Sequence, residues 1–406
     1  MFNNTPRGQC LHIALFGKTN AGKSTLFNLI TGQENAIVSD KPGTTTDPVV
    51  KNMELSPVGA VTLIDTAGFD DNSVLGEKRK IKTLELARRA DLGVFVVEAC
   101  EIAQKDLENL VDNNIENVID FEESFFSGEK IYVFTKCDLL KPDALKKLKN
   151  KYKDALYFDK NNLNDVNLIK NAIINKLSQQ ESANDNTMLG GLVERDSIVI
   201  MVVPIDNAAP KGRLILPQVQ LLRECLDNGI RVCVTRETEL ERMLEELKDA
   251  KISLVVTDSQ VFSYVDKLVP ANIRLTSFSM LAIRQKCDIT ALIKGVEHIE
   301  LLKNDDCILM LEACTHNYSH EDIGRVKIPK LINKVTGLNL RYEFFTGYAL
   351  PENFEKYSMA VICGSCMINQ KEVSSRLKLL NEKNIPVTNY GVLLAYLNGI
   401  LDRCTV

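Results

Sequence analysis

Two rhythms of apolar residues alternate along the chain: short β-branched runs, and stretches with an apolar residue every three or four positions. The first run, His12-Ile-Ala-Leu-Phe16, has the length of one buried strand. Residues 24–30, Ser24-Thr-Leu-Phe-Asn-Leu-Ile30, then show helical spacing, with Gly32 placed to close the helix. Runs at 60–65 and 130–134 predict further strands, and residues 77–89 an amphipathic helix. The stretch 178–187 is polar and lacks aliphatic residues apart from one alanine; it follows a helix expected to end near Leu177 and reads as a linker. Beyond it, runs at 197–203, 231–235 and 253–257 alternate with helical patterns at 216–226 and 237–247, which predicts βαβαβ and a small parallel sheet. From about residue 270 a second alternation begins, with helices at 288–302, 321–335 and 369–384 and strands at 307–313, 340–345 and 358–362. The expected fold class is α/β in three domains, 1–178, 179–268 and 269–406.

Composition agrees with that division. At 406 residues the chain exceeds one ordinary core, and 45% hydrophobic with 25% charged residues is ordinary for a globular protein. The net charge of −5 gives no electrostatic footprint for nucleic acid, and the basic run at 146–153 reads as a solvated helix face. No apolar segment approaches the roughly 20 residues that span a bilayer, and the N-terminus lacks the apolar stretch of a signal peptide. The expectation is a cytoplasmic protein without membrane or nucleic-acid partners. In a reducing compartment its 11 cysteines serve as core thiols or metal ligands rather than disulfides. Cys10, Cys100, Cys137, Cys225, Cys233, Cys287, Cys307 and Cys404 sit singly beside aliphatic residues and read as small buried hydrophobes.

Between the first strand and helix lies Gly17-Lys-Thr-Asn-Ala-Gly-Lys-Ser24, the strand–GxxxxGK[ST]–helix context of a phosphate-binding loop. Gly17 and Gly22 let backbone N–H groups curl around phosphates at a helix N-terminus. Lys23 would reach the β- and γ-phosphates, and the Ser24 hydroxyl would ligate Mg²⁺. The run at 60–65 ends in Asp65-Thr-Ala-Gly68, where Asp65 can hold Mg²⁺ through water and the Gly68 N–H can sense a γ-phosphate. The run at 130–134 ends in Thr135-Lys-Cys-Asp138, where Asp138 can accept the N1 and N2 protons of guanine while the Lys136 stem covers the ring. Adenine offers neither donor and would leave a buried carboxylate unpaired. The expected nucleotide-binding set is Gly17, Asn20, Ala21, Gly22, Lys23, Ser24, Thr25, Thr135, Lys136 and Asp138, with GTP and Mg²⁺ as cofactors.

Asn20-Ala-Gly-Lys-Ser24 and Pro42-Gly-Thr-Thr-Thr-Asp47 resemble the first two motifs of the TrmE–Era–EngA GTPases. The resemblance implies that Thr45, or a neighbour among Thr44 and Thr46, senses Mg²⁺ and the γ-phosphate, and that Asn20 helps hold K⁺. Phe69 stands where Ras-like proteins carry a water-orienting Gln, so slow turnover accelerated by K⁺ is expected. Glu77 lies at the distance of the group's water-activating glutamate, and a solvated surface Glu is the competing reading. The implied catalytic set is Lys23, Thr45, Asp65, Gly68 and Glu77. The fifth motif departs from the usual pattern, with Tyr157-Phe-Asp-Lys160 in its place.

Near the other end, Ser358-Met-Ala-Val-Ile362 feeds into Cys363-Gly-Ser-Cys366, and 307–313 feeds into Cys314-Thr-His316. Two strands ending in soft ligands would bring three sulfurs to one sheet rim, where sites of open α/β sheets collect. A tetrahedral zinc with His316 as fourth ligand and a 4Fe-4S cluster with one open iron both satisfy this spacing. The whole combination, with Ala209-Pro-Lys-Gly-Arg-Leu-Ile-Leu-Pro-Gln218 in the middle, resembles the FeFe-hydrogenase maturation GTPase family (HydF). That resemblance implies a 4Fe-4S cluster on Cys314, Cys363 and Cys366, with His316 a further candidate ligand, and a middle domain that forms a homodimer or larger homo-oligomer. It also implies a scaffold or carrier role for a diiron precursor that radical-SAM maturases supply and apo-hydrogenase receives. The family pattern commonly has His directly before the CxxC; here that residue is Ile362, so a fourth ligand must come from His316, His320, a carboxylate or an exogenous molecule. The rival expectation is an RNA-linked GTPase with a structural zinc, against which stand the acidic balance and the absence of Trp.

Overall fold

The computed structural model describes residues 8, 10–32, 48–68, 74–107, 126, 128–183, 187–205, 214–313 and 323–404, with backbone alone at 74–80, 105–107 and 181–183. The fold is mixed α/β, and the chain forms two compact units, Met1–Asn184 and Asp185–Val406. No helix among the described residues is long and apolar enough to cross a membrane.

The first unit is built on a six-stranded sheet of β1 (Leu11–Phe16), β2 (Val49–Leu55), β3 (Gly59–Asp65), β4 (Leu92–Glu98), β5 (Glu129–Thr135) and β6 (Leu156–Tyr157). The order is β2-β3-β1-β4-β5-β6, parallel except that β2 runs antiparallel to β3. Central strands buried on both faces read as continuous apolar runs, as in β1 and β4. One face packs Leu15, Val94 and Val133 against Leu26 and Phe27 of helix Lys23–Thr31 and Ile169, Ile173 and Leu177 of helix Leu163–Ala183. The other gathers Phe16, Phe95 and Phe126, with ring centroids 5.4 to 5.9 Å apart. Helix Leu163–Ala183 does not stop near Leu177 as expected. Leu177 is its last core contact, but the Ser, Gln and Glu that follow are tolerated in a helix, and Gln180 donates to the Asp91 carbonyl at 3.3 Å.

The second unit carries two sheets, each wholly parallel. One holds β7 (Ile198–Val202), β8 (Arg231–Thr235), β9 (Ile252–Thr257) and β10 (Arg274–Ser277) in the order β10-β9-β7-β8. The other holds β11 (Cys307–Glu312), β12 (Arg341–Thr346), β13 (Tyr357–Ile362) and β14 (Val387–Asn389) in the order β12-β11-β13-β14. The middle sheet therefore has four strands rather than the three expected, and its last strand lies beyond residue 268. Strands β10 and β14 escape a search for apolar runs because they are short and end in polar residues. Ser277 and Asn389 are fully buried, yet each caps the helix that follows, accepting the N–H of Met280 at 3.2 Å and of Val392 at 3.0 Å. Alternate residues of β7 divide two cores. Val199 and Met201 face Leu221, Cys225 and Leu281, whereas Ile198, Ile200 and Val202 join the core that also encloses β11 and β13. That shared core makes the two sheets one unit. Of the eight single cysteines, Cys10, Cys137, Cys225 and Cys307 are buried; Cys100, Cys233, Cys287 and Cys404 are only half-buried, and all are free thiols.

Gly295, in helix Ile289–Val296, packs so close to β14 that an added Cβ would lie 1.8 Å from the Val387 carbonyl oxygen. Gly337, which closes helix Ile328–Thr336 at φ 70, has open space around it. Gly337→Ala should cost about 1 kcal/mol, the left-handed penalty alone. Gly295→Ala should cost more, roughly 2–3 kcal/mol, because backbone must move. Equal shifts in the urea midpoints of the two variants would contradict this packing.

Candidate functional site

The first site lies at the carboxyl end of β1. A Cβ on Gly17 would sit 2.3 Å from the Val96 carbonyl oxygen, so only glycine lets the loop turn this close to β4. Gly22 takes φ 93 before helix Lys23–Thr31, and Gly32 closes that helix at φ 66. Asn20 also has a left-handed backbone, φ 62. The buried Lys23 ammonium donates to the carbonyls of Gly17 at 2.9 Å and Lys18 at 2.7 Å, so it lies across the mouth of the loop.

Ser24 Oγ donates to Asp65 Oδ2 at 2.6 Å. Asp65 is fully buried, and its Oδ1 finds no hydrogen-bond partner among the described residues. Burial raises the Asp65 pKa, opposed by the Ser24 hydroxyl and the Lys23 ammonium. A dehydrated carboxylate oxygen beside a serine hydroxyl fits a divalent cation, so Ser24 and Asp65 suit Mg²⁺. The backbone after β3 hugs the loop, for a Cβ on Gly68 would meet Thr19 Oγ1 at 2.3 Å. No side chain fits there.

Thr135, at the end of β5, ties the base-binding segment to the phosphate loop: its hydroxyl lies 2.6 Å from the Ala21 carbonyl and 3.2 Å from that of Val97. Lys136 takes φ 55 and its ammonium donates to Glu98 Oε2 at 2.6 Å, while Lys18 donates to Glu101 Oε1 at 2.6 Å. These glutamates went unnoticed in the sequence, since each meets its lysine across a long separation and no local spacing announces the pair. Asp138 sits in the single turn Cys137–Leu139 and is exposed, not buried. A bound base would itself have to dry the carboxylate. Tyr157 is a packing residue, with its ring 5.3 Å from Phe134 and its hydroxyl on the carbonyls of Leu148 and Tyr152. Thr44, Thr45, Thr46 and Phe69 lie outside the described residues; Glu77 lies in helix Val74–Arg89, described by backbone alone.

The second site lies at the carboxyl ends of β11 and β13, neighbours in the sheet. The ladder continues past β13, with the Cys363 N–H donating to the Leu311 carbonyl at 3.0 Å. Cys363 Sγ receives two backbone N–H groups, from Ala313 at 3.1 Å and Ser365 at 3.3 Å. Burial pushes its thiol pKa up; the Ala313 N–H opposes this, as do the Ser365 N–H and the Arg376 guanidinium, whereas Cys366 adds to it. Two donors aimed at one sulfur, in a place where burial disfavours a bare thiolate, fit a metal-bound thiolate. Cys366 is half-buried in the same turn.

Cys314, His316 and His320 lie outside the described residues, and among the described residues no group of three or more His, Cys, Asp and Glu side chains could hold a metal ion. The described residues on either side of 314–322 are tied to the sheet and to one another. Before it, Ala313 is bonded to Cys363; after it, Arg325 donates to the buried Glu312 carboxylate at 3.1 Å, and Tyr390 donates to the same group at 3.3 Å. Gly324 packs against Tyr390 and Glu312, since a Cβ there would lie 2.2 Å from the Tyr390 hydroxyl and 2.5 Å from Glu312 Oε1.

Two family models match the second unit. The hydrogen maturase F dimerization domain covers residues 188–287, and the hydrogen maturase F tetramerization domain covers residues 290–405. Together they take in more than half of the chain. The chain belongs to the hydrogen maturase F family. A third model, described as a 50S ribosome-binding GTPase, matches residues 12–136, and with the loop geometry above the first unit is a P-loop GTPase domain. GTPase Der of Kosmotoga olearia is 33% identical over 156 residues, 36% of this chain and 32% of that protein. The tRNA modification GTPase MnmE of a Thermoanaerobacter species is 33% identical over 169 residues, 41% of this chain and 34% of that protein. The chain thus spans about a third of the length of these curated relatives. Among solved structures, Era in complex with MgGDPNP and a 16S ribosomal RNA segment gives a TM-score of 0.31 at 17% identity, covering 59% of this chain and 97% of that one. NFeoB of S. thermophilus bound to GDP and aluminium fluoride gives 0.29 at 21% identity, covering 45% and 74%.

Because the pKa of Asp65 is raised in the folded state, its ionised form opposes folding at neutral pH, and that penalty disappears as pH falls below the ordinary carboxylate range. Asp65→Asn should therefore raise the unfolding midpoint of the nucleotide-free first unit at pH 7 by roughly 2–4 °C, equivalent to about 1 kcal/mol in a unit of this size. The gain should shrink toward pH 4. A lower midpoint at pH 7 would contradict a buried carboxylate with one oxygen, Oδ1, left without a partner among the described residues.

Proposed function

We propose that this chain is a GTP-hydrolysing scaffold that binds a 4Fe-4S cluster and helps assemble and deliver the diiron subcluster of FeFe-hydrogenase. The observation that carries the reading is the pair of N–H groups on Cys363 Sγ, one of them from Ala313, the residue before Cys314. Cys314, Cys363 and Cys366 would hold the cluster, with His316 a further candidate. When bound, such a cluster supplies an iron with an exchangeable coordination position. The chain's own part is to present the thiolates at a dry rim: Ile362 is buried in front of the turn and contributes no ligand of its own.

In the first unit, the backbone of residues 17–25 would wrap the phosphates, Lys23 would neutralise them, and Ser24 with Asp65 would hold Mg²⁺. Asn20 would help hold K⁺, Thr45 and Gly68 would sense the γ-phosphate, and Glu77 would lie on the switch side. Asp138 and Lys136 would take guanine. The nucleotide state would bias an interface and would not power cluster chemistry directly. Strand β8 is an edge of the middle sheet and exposes Val234, which suits pairing across a two-fold axis in a homodimer or larger homo-oligomer. Partners on this reading are apo-FeFe-hydrogenase and the radical-SAM maturases, in a reducing cytoplasm that keeps the thiols free.

Hydrolysis of GTP should be several-fold faster in KCl than in NaCl; equal rates would remove K⁺ from the account. Asp138→Asn should cut discrimination for GTP over xanthosine triphosphate by at least about a hundredfold, because two hydrogen bonds to a charged group, each worth roughly 1.5–3 kcal/mol, are lost. Serine at Cys314, Cys363 or Cys366 should abolish iron–sulfur uptake in anaerobic reconstitution and spare GTP hydrolysis. Retained iron in all three variants would send the search for ligands elsewhere, and tight zinc uptake without iron would favour the RNA-linked alternative.

A further inference from the structure

The Cys363–Cys366 turn rests on a buried cation that neither motif nor metal requires. Lys286 is 6% exposed, and its ammonium donates to the carbonyls of Ser365 and Ile368, each at 2.5 Å. A lysine near a helix end ordinarily lets its charge snorkel to water. Burying an ammonium costs several kcal/mol unless hydrogen bonds replace its hydration. Two of this ammonium's hydrogen bonds go to the turn.

Its acceptors explain what it does there. Ser365 holds φ 54, a left-handed backbone that costs a side-chain-bearing residue about 1–2 kcal/mol and persists only where the surroundings over-determine it. That conformation aims the Ser365 N–H at Cys363 Sγ and lets the Ser365 hydroxyl reach the Cys363 carbonyl at 3.2 Å. The Ser365 carbonyl then accepts both the Ile368 N–H, at 3.3 Å, and Lys286. Lys286 follows helix Phe278–Arg284, and that helix supplies a second support. A Cβ on Gly364 would lie 3.4 Å from Ser279 Oγ, and Ser279 is itself held by the Asn389 amide at 3.2 Å. Ser279 and Lys286 fall within the match to the dimerization domain, 188–287, whereas the thiols fall within that to the tetramerization domain.

We propose that Lys286 is a positioning residue for the thiol turn: by holding the carbonyls of Ser365 and Ile368 it fixes the left-handed Ser365, and with it the N–H on Cys363 Sγ, and it sets a buried positive charge against the backbone of the turn that carries the two thiols. The positioning role stands on the turn alone; the role of the charge rests on the metallocluster reading above. A cation held in the turn that carries a cluster stabilises its more negative, reduced state and so raises the reduction potential.

The test compares the full chain with Lys286→Met, Lys286→Gln and the conservative Lys286→Arg. In metal-free protein, amide exchange over 363–369 and iodoacetamide alkylation of Cys363 and Cys366 should each rise tenfold or more in the Met and Gln variants. Exchange over β13 should stay unchanged, and Arg should restore protection. After anaerobic loading with iron and sulfide, the reduction potential should fall in Met and Gln and recover in Arg. Wild-type exchange and alkylation in both Met and Gln would overturn the positioning role, and so would a rise spread equally over β13 and helix Gln370–Glu382. A wild type that takes up no iron overturns the cluster reading and the role of the charge, while exchange and alkylation still decide the positioning.

Discussion

A parallel sheet whose first strand is flanked on both sides by later strands has a crevice at its carboxyl edge, because the two flanking connections leave in opposite directions. That constraint governs both sites in this chain. In the first unit β1 lies between β3 and β4, and the phosphate loop leaves from the end of β1 so close to Val96 that only Gly17 fits. In the second unit β11 lies between β12 and β13, and Ala313 meets Cys363 in the crevice between β11 and β13. The two sites differ in chemistry but are the same place in a sheet. Burial then acts on each in the same sense, raising the pKa of Asp65 in one and of Cys363 in the other, so that both favour a bound cation over a bare anion.

Much of this was legible in the residues. The phosphate loop, Asp65 and Thr135-Lys-Cys-Asp138 are contiguous motifs at the ends of apolar runs, and such runs are the signal that sequence carries best. The CxxC after 358–362 was legible for the same reason. What escaped was non-local or polar. Glu98 and Glu101 meet their lysines only through the fold, and Lys286 looks like any surface lysine until its carbonyl partners are known. Strands β10 and β14 carry no apolar run because Thr276, Ser277, Thr388 and Asn389 are polar yet wholly buried; Ser277 and Asn389 are satisfied as helix caps and Thr388 Oγ1 by the Leu292 carbonyl at 2.9 Å, while Thr276 Oγ1 finds no partner among the described residues. Asp138 was expected to be buried because its role demands dryness, but a one-turn loop at a sheet end cannot supply that without a ligand.

The border between the two units, after Asn184, falls inside the polar stretch 178–187, but the helix before it ends later than its composition suggests. Polar composition at 178–183 suggested a break, but helix propensity does not require apolar residues, and the helix runs to Ala183. In the second unit the division is softer than composition implies. β7 contributes alternate residues to two cores, one of them shared with β11 and β13, so the residues that match a dimerization domain and those that match a tetramerization domain pack as one body. Support for the thiol turn by Lys286 and Ser279 is a consequence of that shared packing.

On the proposed function, Cys314, Cys363 and Cys366 hold an iron–sulfur cluster at the rim where β11 and β13 end. Metal and acid-labile sulfide analysis of the full chain purified without oxygen tests it most directly. The account predicts iron and sulfide in equal amounts, with the absorption and paramagnetic signature of a 4Fe-4S cluster. A colourless protein carrying stoichiometric zinc would contradict it.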